Sequence, residues 1–365
     1  MERQEDKRLK ELQDKNVPIY SISRLDAINH CLYGAYRTYI LNERGPGNVY
    51  SVLGGAVHDV LEGITEGTAT EKDLRAAIDQ ELENIEMLGL EFPNEQIKNN
   101  WVKNMLHFCE TYKHPNGNML AEQLFIYKTS KGHYLQGYID LTHVLNDKEI
   151  SIYDYKTSTM YKGEEIKEHG RQLVTYLLGK EQEGLSVRKV AWMMTKYCTV
   201  KFMGKKTAKS KEETLIEKTL ERRKLADEMK KYVEADLQKL GYDEIDAEIM
   251  LNDFVEKNSF NVLPDPIKEK YKISPCVVFY DVTPEVKQEC EDYINNTIEM
   301  WESLDPSKVE NYPPKSFTKT QKNGKVVEDT FFCVNLCDHF KKCPYIHDFL
   351  DQKVAKEEDP DDDLF

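Results

Sequence analysis

The chain has 365 residues and carries 50 Lys and Arg against 65 Asp and Glu, which gives a formal net charge of −15 at pH 7. This balance argues against a protein that coats nucleic acid, because such affinity comes mainly from neutralised phosphates, yet it suits an enzyme that clusters carboxylates around a divalent cation. No apolar run approaches the roughly 18 residues of a membrane span and residues 1–16 lack a secretion signal, so we expect a cytoplasmic protein without membrane contact.

Helical patterns dominate the first third of the chain. Residues 1–18 are expected to be a polar N-terminal extension, and apolar residues spaced by three and four predict one helix over 21–40 that contains Cys31. A second helix is predicted over 51–64, and helical periodicity continues over 70–112. These segments all precede the first predicted long strand.

Short β-rich segments with partly alternating polarity follow. Bounded by turn signals, they cover residues 121–128, 133–145, 149–157 and 187–202. A helical pattern over 163–184 separates the third segment from the fourth. This order of strands and helix predicts an α/β fold.

The second half of the chain contains a strongly charged stretch, 204–262, whose apolar residues at helical spacing predict an inserted helical lobe. After one more strand and helix, Asn323-Gly324 marks a hairpin. Residues 351–365 are predicted to be a disordered acidic tail. One folded domain, 19–350, remains.

One pair of predicted strands carries a chemically distinctive set of side chains. Asp140 lies in one strand, and Asp154 and Lys156 lie in the next. Since strand side chains alternate, Asp154 and Lys156 share a face and Tyr155 points away. Two carboxylates on neighbouring strands can hold a hard divalent cation, and an ammonium beside them can stabilise charge at a phosphorus centre. The alternative interpretation is an exposed sheet face with a salt bridge.

Three further features accompany this set. Gln172 and Tyr176 are one helical turn apart, His58 stands in Gly-Gly-Ala-Val-His, and Gly137 stands three residues before the first aspartate. The ordered motifs G-x-x-x-H, G-x-x-D, D-x-K-T and Q-x-x-x-Y resemble those of the RecB-type nucleases of the PD-(D/E)XK superfamily. The resemblance covers most of residues 19–350 and implies a restriction-endonuclease-like core, a central mixed β-sheet flanked by helices.

The resemblance also implies roles for the residues that carry the chemistry. Asp140, Asp154 and His58 would be metal ligands, completed by the backbone carbonyl of Tyr155. Lys156 would be the catalytic lysine. Because imidazole belongs to the ligand set, Mn²⁺ is an alternative to Mg²⁺.

Other side chains would support this site. By the same resemblance, Gln172 and Tyr176 would hold the site in place and contact the DNA strand. Glu122, on the preceding strand, either lies beside the site or is an ordinary exposed strand residue. Tyr161 could stack a nucleotide base.

The cysteines form a second signature. Cys333, Cys337 and Cys343 lie near the C-terminus, and Cys31 lies far upstream. This arrangement resembles the iron–sulfur subgroup shared by AddB-type helicase-nucleases and CRISPR-associated adaptation nucleases, in which four thiolates hold a 4Fe-4S cluster that would staple the terminal helical regions together. Because the first spacing is C-x3-C where the subgroup usually has C-x2-C, a structural Zn²⁺ site that His339 could join is the alternative. The remaining cysteines are expected to pack in the core: Cys109, Cys198, Cys276 and Cys290.

Two basic segments and the chain terminus suggest partner contacts. Segment 315–325 is rich in lysine, and a second basic run comprises Lys205, Lys206, Lys209 and Lys211. Either could follow a phosphate backbone or be solvated loop. The terminal Leu364 and Phe365 follow acidic residues, a composition similar to motifs that dock on a sliding clamp and to tails of single-stranded DNA-binding proteins. The alternative is a solubilising tail.

Taken together, these patterns and the resemblance predict a metal-dependent DNA exonuclease in recombination, repair or replication, and the resemblance implies that it acts on single-stranded ends. No G-x-x-x-x-G-K-[ST] motif is present, so unwinding would require a helicase partner. One alternative is a non-catalytic DNA-end or protein-binding module on a nuclease scaffold. Another is a structural partner protein that docks into a larger machine.

Overall fold

A computed structural model describes residues 6–204 and 214–358. Its strands are β1 (Ile19–Tyr20), β2 (Asn118–Lys128), β3 (Tyr134–Asn146), β4 (Glu149–Lys156), β5 (Ser186–Met203), β6 (Leu215–Glu221), β7 (Lys272–Tyr280), β8 (Thr318–Thr320) and β9 (Val326–Glu328). Its α-helices are α1 (Lys7–Asp14), α2 (Ile22–His30), α3 (Leu32–Tyr39), α4 (Val49–Glu66), α5 (Asp73–Met87), α6 (Glu95–Thr111), α7 (Glu164–Gln182), α8 (Leu225–Lys239), α9 (Glu244–Lys257), α10 (Asp265–Lys270), α11 (Pro284–Ser303), α12 (Phe331–Asn335) and α13 (Pro344–Glu358). No helix in the described ranges combines the length and apolar character that crossing a bilayer requires.

The central sheet is mixed and has seven strands in the described part of the chain. β3 pairs antiparallel with β2 and with β4, and β4 runs parallel to β5. β5 pairs antiparallel with β7, and its second half also pairs antiparallel with β6. Short β1 runs parallel beside the start of β3. The predicted α/β fold with a mixed sheet flanked by helices is therefore confirmed.

Helices cover both faces of this sheet. On one face, α2, α7 and α11 pack over a core that includes Ile152 and Trp192. On the other face, α4, α5 and α6 pack over Leu141 and Tyr155. Because β4 places successive side chains on opposite faces, Asp154 shares the face of Ile152 and lies under α7.

The prediction of a single helix over 21–40 is wrong in one respect, because the structure has two helices, α2 and α3, that meet at Cys31. The backbone of Cys31 is extended, with φ −156° and ψ 105°, and its Sγ accepts the amide N–H of Gly34 at 3.4 Å. A side-chain acceptor at the first turn satisfies an amide that a helix start leaves free. The break places Cys31 at a junction where it can face the C-terminal segment.

The segment 204–262, predicted to be helical, contains a strand before its helices. Ile216 and Leu220 lie in β6, which pairs with β5, and α8 and α9 follow. Apolar residues from β6, α8, α9 and α10 form a core of their own against Cys198 and Val200 of β5. Periodicity alone misses this strand, since pairing with the preceding strand β5 overrides local preference.

A C-terminal helix reaches into the segment that was predicted to be disordered. α13 extends to Glu358, so the first part of 351–365 is helical, as its run of good helix formers before Pro360 allows. The hairpin predicted at Asn323-Gly324 is present as β8 and β9. Other predicted contact residues lie outside the described residues: Lys205, Lys206, Lys209, Lys211, Leu364 and Phe365.

Candidate active site

The candidate site lies where two neighbouring strands part. The ladder between β3 and β4 ends at the pair Leu141 and Tyr153. Asp140 and Asp154 occupy the next position on each strand. There the amide of Tyr155 donates to Asp140 Oδ2 at 2.8 Å, so a carboxylate takes the place of a cross-strand carbonyl. This hydrogen bond fixes the Asp140 side chain between the strands.

Asp154 and Lys156 form a buried ion pair on the face under α7. Asp154 is only 1% exposed, and its Oδ2 lies 2.6 Å from Lys156 Nζ. Burial raises the pKa of Asp154 to about 6; Lys156 opposes this rise and the charge of Asp140 adds to it. Burial lowers the pKa of Lys156, but the charge and hydrogen bond of Asp154, together with Tyr161 and Asp140, outweigh burial and raise it overall. Lys156 is thus a stable cation, and Asp154 is the carboxyl that protonates first.

Two residues of α7 close a hydrogen-bonded ring around this pair. Lys156 Nζ donates to Gln172 Oε1 at 2.8 Å, and Gln172 Nε2 donates to Tyr176 Oη at 2.7 Å. Tyr176 Oη donates in turn to Asp154 Oδ1 at 3.4 Å. The spacing of one helical turn lets both α7 side chains reach the same strand. The ring sets the orientation of the ammonium.

His58 approaches from α4 on the other side of the strands. Its Nδ1 lies 3.4 Å from Asp140 Oδ2, and its side chain is 31% exposed. Burial lowers the pKa of His58, but the hydrogen bond and charge of Asp140 more than offset this and raise it. The same contact helps to lower the pKa of Asp140 against its own burial. Asp140 is therefore the member of the carboxylate pair that stays ionised to lower pH.

The donors present fit a hard divalent cation. Two carboxylates, one imidazole and the carbonyl of Tyr155 are ligands that Mg²⁺ and Mn²⁺ accept. Across residues 6–204 and 214–358, no three His, Cys, Asp or Glu side chains already form a cage for one ion, and Lys156 Nζ is the group that meets Asp154 Oδ2. That oxygen is buried and accepts no hydrogen bond of ordinary geometry from the described residues. A cation would satisfy its charge.

Glu122 lies beside this site. Its φ of 47° is left-handed, and the ladder between β2 and β3 skips it. Such a backbone inside a strand is rare for a residue other than glycine and concentrates at functional sites. Its charge also contributes to the raised pKa of Tyr176. Of the two interpretations of Glu122, the structure favours the one that places it near the carboxylates.

The four cysteines of the second signature line one cavity. Cys31, Cys333, Cys337 and Cys343 meet there together with His339. Burial raises the pKa of Cys333 and that of Cys337 to about 11, and the charges of neighbouring cysteines add to both shifts. The fold thus brings Cys31 to three residues near the other end of the chain. Three other cysteines are buried in cores as predicted: Cys198, Cys276 and Cys290.

The predicted nucleic-acid contacts differ in their surroundings. Lys315 and Lys319 both pair with Asp329, at 3.3 and 2.8 Å, so part of the positive charge of this segment is neutralised. Tyr161 stacks on His169, with ring centroids 3.9 Å apart. Burial raises the pKa of Tyr161 and lowers that of His169, and Lys156 lies close enough for its charge to act on both.

One contact at the site has no sequence signal. Thr195 Oγ1 donates to the carbonyl of Lys156 at 3.1 Å, and the carbonyl of Thr195 accepts from Arg222 Nε at 2.7 Å. Thr195 therefore joins the end of β4 to the segment after β6. Neither spacing nor alternation indicates a contact between such distant parts of the chain.

Comparison with known proteins gives one match. A model of the PD-(D/E)XK nuclease superfamily matches residues 19–251. This range contains all the residues of the ring and of the proposed ligand set, but not the three C-terminal cysteines. No curated protein matches the chain at a significant level.

Proposed function

The chain belongs to the PD-(D/E)XK nuclease superfamily, and we propose that it is a metal-dependent DNA exonuclease that acts on single-stranded ends in recombination, repair or replication. One observation carries the catalytic part of this proposal. Asp154 Oδ2 is buried 2.6 Å from Lys156 Nζ and has no other donor among the described residues, at the point where β3 and β4 part. A carboxylate oxygen can accept from two partners, so Oδ2 can also meet a divalent cation.

In this proposal Asp140, Asp154 and His58, with the carbonyl of Tyr155, hold Mg²⁺ or Mn²⁺. When bound, the cation would polarise a phosphate oxygen and lower the pKa of a coordinated water. Asp140 stays ionised because His58 and the Tyr155 amide stabilise its charge. Burial excludes bulk water from Asp154, which strengthens every charge interaction there.

Lys156 supplies positive charge next to the reacting phosphate. Its ammonium is fixed by Asp154 and Gln172, so it needs no reorganisation when negative charge develops on the phosphate oxygens. Tyr176 keeps Asp154 in position through Oδ1 and leaves Oδ2 for the cation. The ring therefore positions the lysine and the carboxylate relative to each other.

The activity test uses end-labelled linear DNA and closed circular DNA, incubated with Mg²⁺, Mn²⁺ or a chelator. We expect cation-dependent release of label from linear single strands, and no product from circles. Lys156→Met should abolish release, whereas Lys167→Met, which removes an exposed lysine paired with Glu289, should not. A folded, metal-replete protein that binds DNA ends without cleaving them would instead support the non-catalytic binding module.

We also propose that Cys31, Cys333, Cys337 and Cys343 hold a 4Fe-4S cluster. Their shared cavity brings the N-terminal helices against the C-terminal segment, as a stapling cluster requires. Protein purified without oxygen should contain about four irons and four sulfides per chain, and Cys333→Ser should lose them while Cys109→Ser keeps them. One zinc per chain without iron would assign the tetrahedral Zn²⁺ site instead.

A further inference from the structure

One face of α4 leads away from the carboxylates. Tyr50, Gly54 and His58 are four residues apart, so they form one stripe on this helix. His58 faces Asp140, and a side chain at Gly54 would come within 3.2 Å of Thr157 Oγ1. The three positions line the same edge of the split sheet over about 12 Å.

Lys196 lies at the far end of this stripe. Its Nζ is 6.0 Å from the centre of the Tyr50 ring. The pairing of β5 with β4 ends at Met194, and the pairing with β7 shifts register between Met193 and Cys198. Such irregularities in a strand turn side chains toward functional sites. Lys196 lies in this irregular part of β5, just beyond the last pair with β4, the strand that carries the catalytic residues.

The ammonium of Lys196 lacks a counterion of its own. Among the described residues, no hydrogen bond or ion pair reaches its Nζ. Burial lowers the pKa of Lys196 to about 8, and the charge of Glu221 counters burial only in part. Glu221 itself is held by Arg223 and Asn104. A partly buried ammonium without a partner is costly, so an anion from outside would be stabilised there.

We propose that Lys196 binds a phosphodiester of the substrate strand, within a few nucleotides of the bond that is cleaved, at the Tyr50 end of this stripe. The inference rests on the proposed nuclease function and adds the path of the strand. A chain with a net charge of −15 attracts nucleic acid poorly as a whole, and local ammonium groups must supply the phosphate contacts.

Steady-state kinetics on a linear single strand test this role. For Lys196→Met we expect KM to rise about tenfold or more, the loss of one charge-assisted hydrogen bond, and kcat to fall by much less. The salt dependence of log KM should become shallower by about 0.7, the value of one phosphate contact on single strands. Lys196→Arg should restore most of the affinity.

Lys189→Met is the matched control. Lys189 also lies on β5, and its Nζ is 4.7 Å from the centre of the Phe279 ring. It lies beside the first half of β4, whereas Lys196 lies beyond the end of β4. The inference fails if Lys196→Met and Lys189→Met give the same KM and salt dependence, or if Lys196→Met lowers kcat alone. If the wild type cleaves no DNA under any condition, the proposed nuclease function fails instead.

A second measurement leaves the protein unchanged. In a set of oligonucleotides, one linkage at a time is made neutral by methylphosphonate. We expect one position near the cleaved bond to weaken wild-type binding about tenfold and to have no further effect on Lys196→Met. Equal losses at that position in both proteins would overturn the assignment.

Discussion

Two buried charge clusters meet at Thr195, and they are built in opposite ways. At Asp154 and Lys156, opposite charges lie 2.6 Å apart, yet one carboxylate oxygen accepts no hydrogen bond from the described residues. At Arg222, which is 3% exposed, the guanidinium has no carboxylate partner among those residues and donates to neutral acceptors, including the Thr195 carbonyl and the Thr111 hydroxyl.

This difference separates a ligand site, the cluster of Asp154 and Lys156, from a structural anchor, the cluster around Arg222. The Arg222 guanidinium donates to acceptors within the protein, so its charge needs no ligand from outside. Asp154 Oδ2 meets only the Lys156 ammonium among the described residues, and a carboxylate oxygen has room for a second positive partner. Charge alone marks both clusters, and the open carboxylate distinguishes the one suited to a cation.

The same substitution in the two clusters should have different consequences. We expect Lys156→Met to lower kcat by about 100- to 1000-fold, as loss of a preorganised electrostatic contact does. Stability should change less, because Asp154 has a raised pKa and can take up a proton. The measurement is kcat at saturating DNA and Mg²⁺ together with urea unfolding. A fall in kcat below threefold would contradict the assigned role.

Arg222→Met should act on stability. It leaves the buried carbonyl of Thr195 and the hydroxyl of Thr111 without their donor, which we expect to cost about 3 kcal/mol of the free energy of unfolding. The control is Arg223→Met, whose pair with Glu221 is 25% exposed on each side and should cost less than about 1 kcal/mol. Urea unfolding of both variants decides. Equal losses of unfolding free energy in the two variants would show that the buried Arg222 contributes no more to stability than Arg223 does.

Acid should weaken the anchor through His107. This side chain is 4% exposed and accepts from Arg222 Nη1 at 3.4 Å. Burial, with the charge of Arg222, lowers its pKa to about 4. Below pH 6.5 the unfolded chain therefore takes up a proton that the folded chain does not, and stability is lost as pH falls toward 4. The loss should reach about 2 kcal/mol at pH 5.

The matched variant is His107→Gln, which keeps an acceptor for Arg222 and cannot titrate. Unfolding by urea at pH 7 and pH 5 should show a smaller difference for this variant than for the wild type. If both proteins lose the same stability on acidification, other groups account for the pH dependence.

The two clusters also differ in how far the sequence predicts them. Asp154 and Lys156 share a face by strand alternation, and Gln172 and Tyr176 share one by helical spacing. Both patterns are local, and the structure brings these four residues together. Arg222 follows a strand that was predicted as helix, because apolar spacing alone does not reveal its pairing with β5.

Local patterns also fail where a side chain competes with the backbone. Cys31 sits within a continuous helical periodicity, yet its sulfur caps α3 and breaks the helix. The parting of β3 and β4 at Asp140 is similar, since a carboxylate replaces a carbonyl of the ladder. A side chain that replaces a backbone hydrogen-bond partner depends on three-dimensional contacts, so the periodicity of the sequence does not predict it.

Thr195→Val should give the smallest effect and is the most direct probe of the link between the clusters. It removes the hydroxyl that donates to the Lys156 carbonyl and keeps the carbonyl that receives Arg222. We expect a loss of about 1 kcal/mol in the free energy of unfolding. A severalfold fall in kcat should accompany it, because the backbone that carries Lys156 loses a tether. Thr199→Val, on the same strand with a longer contact to Thr219 at 3.4 Å, is the control. If both variants behave alike in urea unfolding and in kcat, Thr195 does not couple the anchor to the site, and the two clusters are independent.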